Sequence, residues 1–351
     1  MKTLKNLLKI VPLLAVAYTG SAQALTIKFN YDPAMDARAL AGFKTAAKAW
    51  EAVLHDNVQV NLDINFASLG PGVLGSTLSD QYFVDYAFYR SLLAADAKSG
   101  LDREAVANLP KASCLTLLMN GTTSNPHGAG STDTFVDSGC EDNNTRIVVN
   151  SATLRAIGAF APVDNFSDGA ISFSSDFAPY FDFDPTDGIR AGALDFIGVA
   201  THEIGHALGF SSGVDILDFA MKLNYSAAQL SYVSAADLYR CSPESKNAGA
   251  DIDWSADNRN KYFSLDNCTT TLSIFSNGTD YGDGNQASHW KDDRGIGIMD
   301  PTAGPGERLA ISQMDLMMLD AIGWDLPEPG SFALLGLGAF GLAAARRRKQ
   351  K

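Results

Sequence analysis

Polar and apolar positions alternate over residues 26–30 and again, strictly, over residues 58–66 (VQVNLDINF), a period of two that predicts two half-buried strands. Between them, residues 34–54 carry Leu40, Phe43, Ala47, Trp50 and Leu54 at three- and four-residue spacings, which predicts a long amphipathic helix packed on a sheet. A second helix is expected over 82–97. The Gly-, Ser-, Thr- and Asn-rich stretch 120–144 is expected to be mostly loop, and 146–149 and 171–174 to be further strands. Residues 193–208 are apolar on every side, as in a helix buried at a domain centre, and Gly209 is placed to end that helix in a left-handed turn. Ser312-Gln313-Met314-Asp315 has the form of a capping box. It opens a last helix with Leu316, Leu319 and Ile322 on one face and Gly323 at its end. The fold class this predicts is α+β.

The two ends carry other signals. Residues 1–24 have the form of an export leader: Lys2, Lys5 and Lys9, an apolar run over 10–17, and the small-residue cleavage site Ala22-Gln23-Ala24. At the far end, Pro327-Glu328-Pro329 precedes an apolar run over 331–345 and the basic tail Arg346-Arg347-Arg348-Lys349. This arrangement resembles the PEP-CTERM sorting signal of Gram-negative bacteria. The resemblance implies transient membrane anchoring through the apolar run, cutting at the tripeptide by an exosortase-type enzyme, and a secreted or surface-displayed product. The rival is a plain C-terminal transmembrane anchor, for which the run is short. The expected division is therefore 1–24, 25–326 and 327–351.

Charge narrows the partners. The whole chain carries −13. Losing three lysines in front, and five basic residues with Glu328 behind, leaves the central part near about −20, so no basic surface remains for nucleic acid. Cys114, Cys140, Cys241 and Cys268 all lie in the exported part. Their even number predicts two disulfides, with sequence-local pairing of Cys114 with Cys140 and of Cys241 with Cys268. That pairing leaves no thiol to act as a cysteine switch.

The stretch THEIGHALGFSS, residues 201–212, holds the candidate chemistry. On a helix His202 and His206 share a face, and Glu203 stands about 100° round from His202. Two imidazoles for one zinc ion, with a carboxylate beside it as general base, is the chemistry this spacing serves. Two satisfied buried histidines are the plain alternative. A catalytic zinc needs a third protein ligand, and the compact form of the motif has a histidine where this chain has Ser212. His55 reads as a solvated turn residue, and His127 sits in a loop with nothing near it to support ligation. Glu244 is the first glutamate after Glu203 but falls outside any clear helix. His289 remains, in Ala287-Ser288-His289-Trp290, ahead of Ile298-Met299-Asp300-Pro301.

Gly209-Phe210, His289-Trp290, Met299 and the closing Ile322-Gly323-Trp324 together resemble the metzincins, and within them the leishmanolysin-like group, where an insertion delays the third histidine. The resemblance covers most of residues 25–326. It implies a zincin-like catalytic domain: a mixed twisted sheet and active-site helix in an upper lobe (about 25–209) and a C-terminal lower lobe (about 210–326). It implies His202, His206 and His289 as zinc ligands, Met299 as the apolar floor beneath them, and residues 171–174 as the edge strand that takes an extended substrate. The activity implied is that of an exported zinc endopeptidase acting on peptides or proteins, in which a zinc-activated water gives its proton to Glu203. Pro301 stands where some metzincins have a tyrosine, which leaves transition-state stabilisation to zinc and backbone donors. A non-catalytic, surface-displayed zincin-like binding module is the alternative, and the presence of Glu203 speaks against it. The carboxylate-rich loop Asp182-Phe183-Asp184-Pro185-Thr186-Asp187-Gly188 is a candidate Ca²⁺ site, but it lacks EF-hand spacing and reads better as a solvated acidic turn.

Overall fold

The structure, a computed structural model, describes residues 25–223 and 231–327. The leader 1–24 and the expected apolar anchor and basic tail lie outside the described residues. Among those described, no helix is long and apolar enough to cross a membrane.

The chain forms a mixed α/β fold with several small sheets. Strand Thr26–Asn30 pairs in parallel with Gln59–Ala67, and helix Ala37–Glu51 makes the crossover between them. Asp36 starts this helix by accepting from the Arg38 N–H, so the helix begins later than the apolar pattern that predicts it. Gln59–Ala67 pairs in parallel with Gly169–Ser174, which pairs antiparallel with Gly75–Ser79. The strand expected at the edge, residues 171–174, is therefore interior, and the edge is Gly75–Ser79. The sequence hides this because GSTLS has only one large apolar residue, Leu78, and that side chain is 77% exposed.

Residues 82–97 are not one helix. Gln81–Asp85 is a strand antiparallel to Arg146–Asn150, and the helix runs over Tyr86–Asp96. Tyr82-Phe83-Val84 is aromatic and β-branched, which suits a pleated surface better than a helix. The central helix is likewise shorter than its apolar run. Leu194–Asp195 pairs with Phe181–Asp182, and the Asp195 carboxylate accepts from the Gly198 N–H, so the helix is Phe196–Ala207. The stretch 120–144 is loop for most of its length, with a short strand Phe135–Asp137 and a single turn Asp142–Thr145.

The central helix is buried against the crossover helix and the sheet. Phe196 meets Phe43 edge-on at 5.5 Å and Phe173 at 4.7 Å, and the Trp50 indole donates to the Thr201 carbonyl at 2.8 Å. Gly42 permits this approach: a Cβ there would stand 2.4 Å from the Phe196 ring. The far end of the helix is stitched by buried side chains. Gly209 leaves it at φ +119°, and the Trp324 indole donates to the Leu208 carbonyl at 2.7 Å. Helix Gln313–Ala321 has the expected capping box between Ser312 and Asp315. Its final carbonyls are satisfied by buried tyrosines, Tyr239 to Ala321 and Tyr89 to Ile322.

The boundary drawn near 209/210 is crossed by a three-stranded sheet in which Leu117–Met119 pairs with both Phe135–Asp137 and Ile252–Trp254. The two disulfides join Cys114 to Cys140 and Cys241 to Cys268, as the spacing predicts. The first closes a separation of 26 residues. Replacing Cys114 and Cys140 together by serine is expected to lower stability by about 3.5 kcal/mol through the freed chain entropy, read as a drop in urea midpoint.

Candidate metal centre

His202 and His206 project from the same face of the central helix, and His289 meets them from a loop far along the chain. Their Nε2 atoms form a nearly regular triangle, 3.0 Å from His202 to His206, 3.1 Å from His206 to His289 and 3.2 Å from His289 to His202. Each ring is held from behind by a backbone carbonyl: His202 Nδ1 by Ile298 at 2.7 Å, His206 Nδ1 by Phe210 at 2.7 Å, and His289 Nδ1 by Gln286 at 3.2 Å. A carbonyl only accepts, so the ring proton belongs on Nδ1 and the Nε2 lone pairs of all three rings face one another.

That arrangement is repulsive unless a cation sits between the rings. Two of the three rings resist taking up a proton. Burial, then the charge of His202, lowers the His206 pKa to about 3, and burial with His206 and His202 takes that of His289 well below the usual imidazole range. The donor set fits zinc. Tetrahedral ligands at about 2.0–2.1 Å from the metal stand about 3.3 Å apart, close to the edges of this triangle. His55 and His127 lie outside the cluster. Glu244 does occupy a helix, Pro243–Ala248, contrary to expectation, and it pairs there with Arg259 at 3.5 Å.

Glu203 is 6% exposed, and burial raises its pKa against the opposing influence of His202 and of a hydrogen bond from Thr77. The Thr77 hydroxyl donates to Glu203 Oε2 at 2.7 Å from the edge strand. Gly75 makes room for the same carboxylate, since a Cβ there would stand 2.8 Å from Oε1. Neither residue carries a signal in the sequence. Beneath the helix, Met299 is fully buried, and a Cβ on Gly205 would come within 2.5 Å of its sulfur. The cleft runs past both sides of the cluster. A cavity of about 350 Å³ lies towards Val199 and Ala303, and one of about 540 Å³ lies towards Leu78, Ile216 and Tyr232. Pro301 borders both.

Ser212, standing where the compact motif has its histidine, serves the site differently. Its N–H donates to Ser288 Oγ at 2.8 Å, next to His289. Asp215 accepts from the Ala287 and Ser288 N–H groups and from the Ser288 hydroxyl. Asp315 joins the rest: it accepts from the Trp290 indole at 2.8 Å, from the Ile298 and Met299 N–H groups, and from the Ser312 N–H. Of these supports only Asp315 had a sequence signal, its place in the capping box. In the acidic loop, Asp182 and Asp184 accept from nearby backbone N–H groups and from Thr186.

Comparison with known families matches the PEP-CTERM protein-sorting motif to residues 325–349. The motif implies recognition by an exosortase-type sorting enzyme, and it marks the chain for export and for a cell-surface or secreted location in Gram-negative bacteria. No curated protein matches the chain. No solved structure matches it either.

Proposed function

We propose that the chain is an exported zinc endopeptidase with a zincin-like domain of the metzincin type, similar to the leishmanolysin-like group. The observation that carries the reading is the triangle of Nε2 atoms with its three backbone-held rings, beside a buried glutamate. Parallel strands ending in an antiparallel edge strand, laid along a central helix, support the zincin-like fold.

His202, His206 and His289 would hold zinc through Nε2, and the bound ion would supply Lewis acidity to water and to a substrate carbonyl. Glu203 takes the proton of the attacking water on its carboxylate and passes it to the departing amine. Burial raises its proton affinity, which favours its taking up that proton. Thr77 fixes the carboxylate's orientation. Gly75–Ser79, with one side unpaired in the sheet, offers backbone groups to an extended peptide.

The deciding experiment is zinc analysis together with casein hydrolysis. One zinc per chain is expected, with activity lost to a chelator and restored by zinc; a metal-free chain that still cuts casein would sink the reading. Thr77→Val gives a finer test. The lost hydrogen bond had lowered the Glu203 pKa, so its removal raises that pKa further. The acid limb of the kcat/KM profile should then move to higher pH.

A further inference from the structure

Away from the histidine cleft, a second group of ligating side chains gathers where the last described residues return to the N-terminal helices. Asp56 lies just beyond helix Ala37–Glu51, Asp96 ends helix Tyr86–Asp96, and Asp325 follows Trp324. One carboxylate oxygen of each lies within 4.8 Å of the others. The backbone sets this meeting: the His55 N–H donates to the Asp325 carbonyl at 2.8 Å, and the Asp325 N–H donates to Asp56 Oδ2 at 2.9 Å.

The other oxygen of Asp56 is the anomaly. Asp56 is 3% exposed, and its Oδ1 has no hydrogen-bond partner. A buried acceptor left without a donor is destabilising, because it has lost its water and gained nothing in return. Lys98 contacts Asp325 and stands 3.3 Å from Asp96, but it makes no ion pair with Asp56, and its own side chain is 59% exposed. One exposed ammonium faces three carboxylates. Carboxylate oxygens alone, with no imidazole or thiolate among them, select a hard divalent cation of the calcium class over zinc.

We propose that Asp56, Asp96 and Asp325 form a calcium site that fastens the start of the sorting motif to the two N-terminal helices. Asp325 is the first residue of the matched motif, and the Pro-Glu-Pro tripeptide begins at Pro327. The ion therefore fixes the point at which the sorting tail leaves the folded body. Burial, with Asp325 and Asp96 close by, raises the Asp56 pKa to about 8, so at neutral pH calcium takes the place of a proton released to solvent.

The test is calorimetric titration of the zinc-loaded full chain with calcium chloride. The expected midpoint lies at about 0.1–1 mM, the range of extracellular calcium modules. Asp96→Asn, at a half-buried position, should raise that midpoint at least about tenfold, and Asp56→Asn should do the same. Lys98→Met should lower it about threefold, because it removes a competing cation; in a site made only of ion pairs it would create no calcium affinity. Absence of binding up to about 10 mM overturns the proposal, as does binding that neither aspartate variant alters. Circular dichroism of each variant separates loss of the site from loss of fold.

Discussion

Glu203→Gln is expected to leave one zinc per chain and to lower kcat on casein or a fluorogenic peptide by about a thousandfold or more. The amide has nearly the shape of the carboxylate and can still accept the Thr77 hydroxyl, so the edge strand and the three imidazoles should stay in place. What it cannot do is take a proton from water and return it to an amine. Zinc content by metal analysis, beside kcat, separates the two outcomes. Unchanged turnover would remove Glu203 from the chemistry. Zinc without turnover in the parent chain itself would favour a binding module over an enzyme.

His289→Ala should weaken zinc retention at least about a hundredfold and abolish hydrolysis with it. Two imidazoles on one helix would then be left to hold the ion, and the open side would admit water. The fold should survive, because the neighbouring Trp290 stays packed on Phe210 and Phe275 and remains bonded to Asp315. Equilibrium dialysis against a zinc chelator measures the first effect, and unfolding midpoints control for the second. Normal zinc affinity in this variant would mean that another group supplies the third donor.

The paired histidines, the helix that carries them and the capped last helix are legible because each depends on local spacing: ligands four positions apart, an apolar run, a serine three residues before an aspartate. The disulfide pairing was legible for the same reason. The strand at the sheet edge was not, because a single exposed leucine in GSTLS gives no periodicity to read, and the sheet order is set by long-range pairing. Thr77 and Gly75 inherit that silence. The starts of two helices are masked in the sequence, where a short aromatic strand and a two-residue bridge share the apolar character of the helix that follows. The meeting of Asp56, Asp96 and Asp325 spans 269 residues between Asp56 and Asp325, and no local pattern announces such a contact.

The hydrogen bonds from the Ser212 N–H to Ser288 and from the Ala287 N–H to Asp215 tie the loop that carries His289 to the chain just beyond the central helix. The chain between these bonds packs back on the body, with Ile252–Trp254 paired to Leu117–Met119 and Tyr239 donating to the Ala321 carbonyl, so the stance of His289 rests on that packing as well as on the two bonds. Substitutions at Ile216 and Tyr232, which line the larger cavity between those two anchor points, should reshape the rim of the cleft, and with it the choice of substrate, while the imidazole triangle behind them keeps its dimensions.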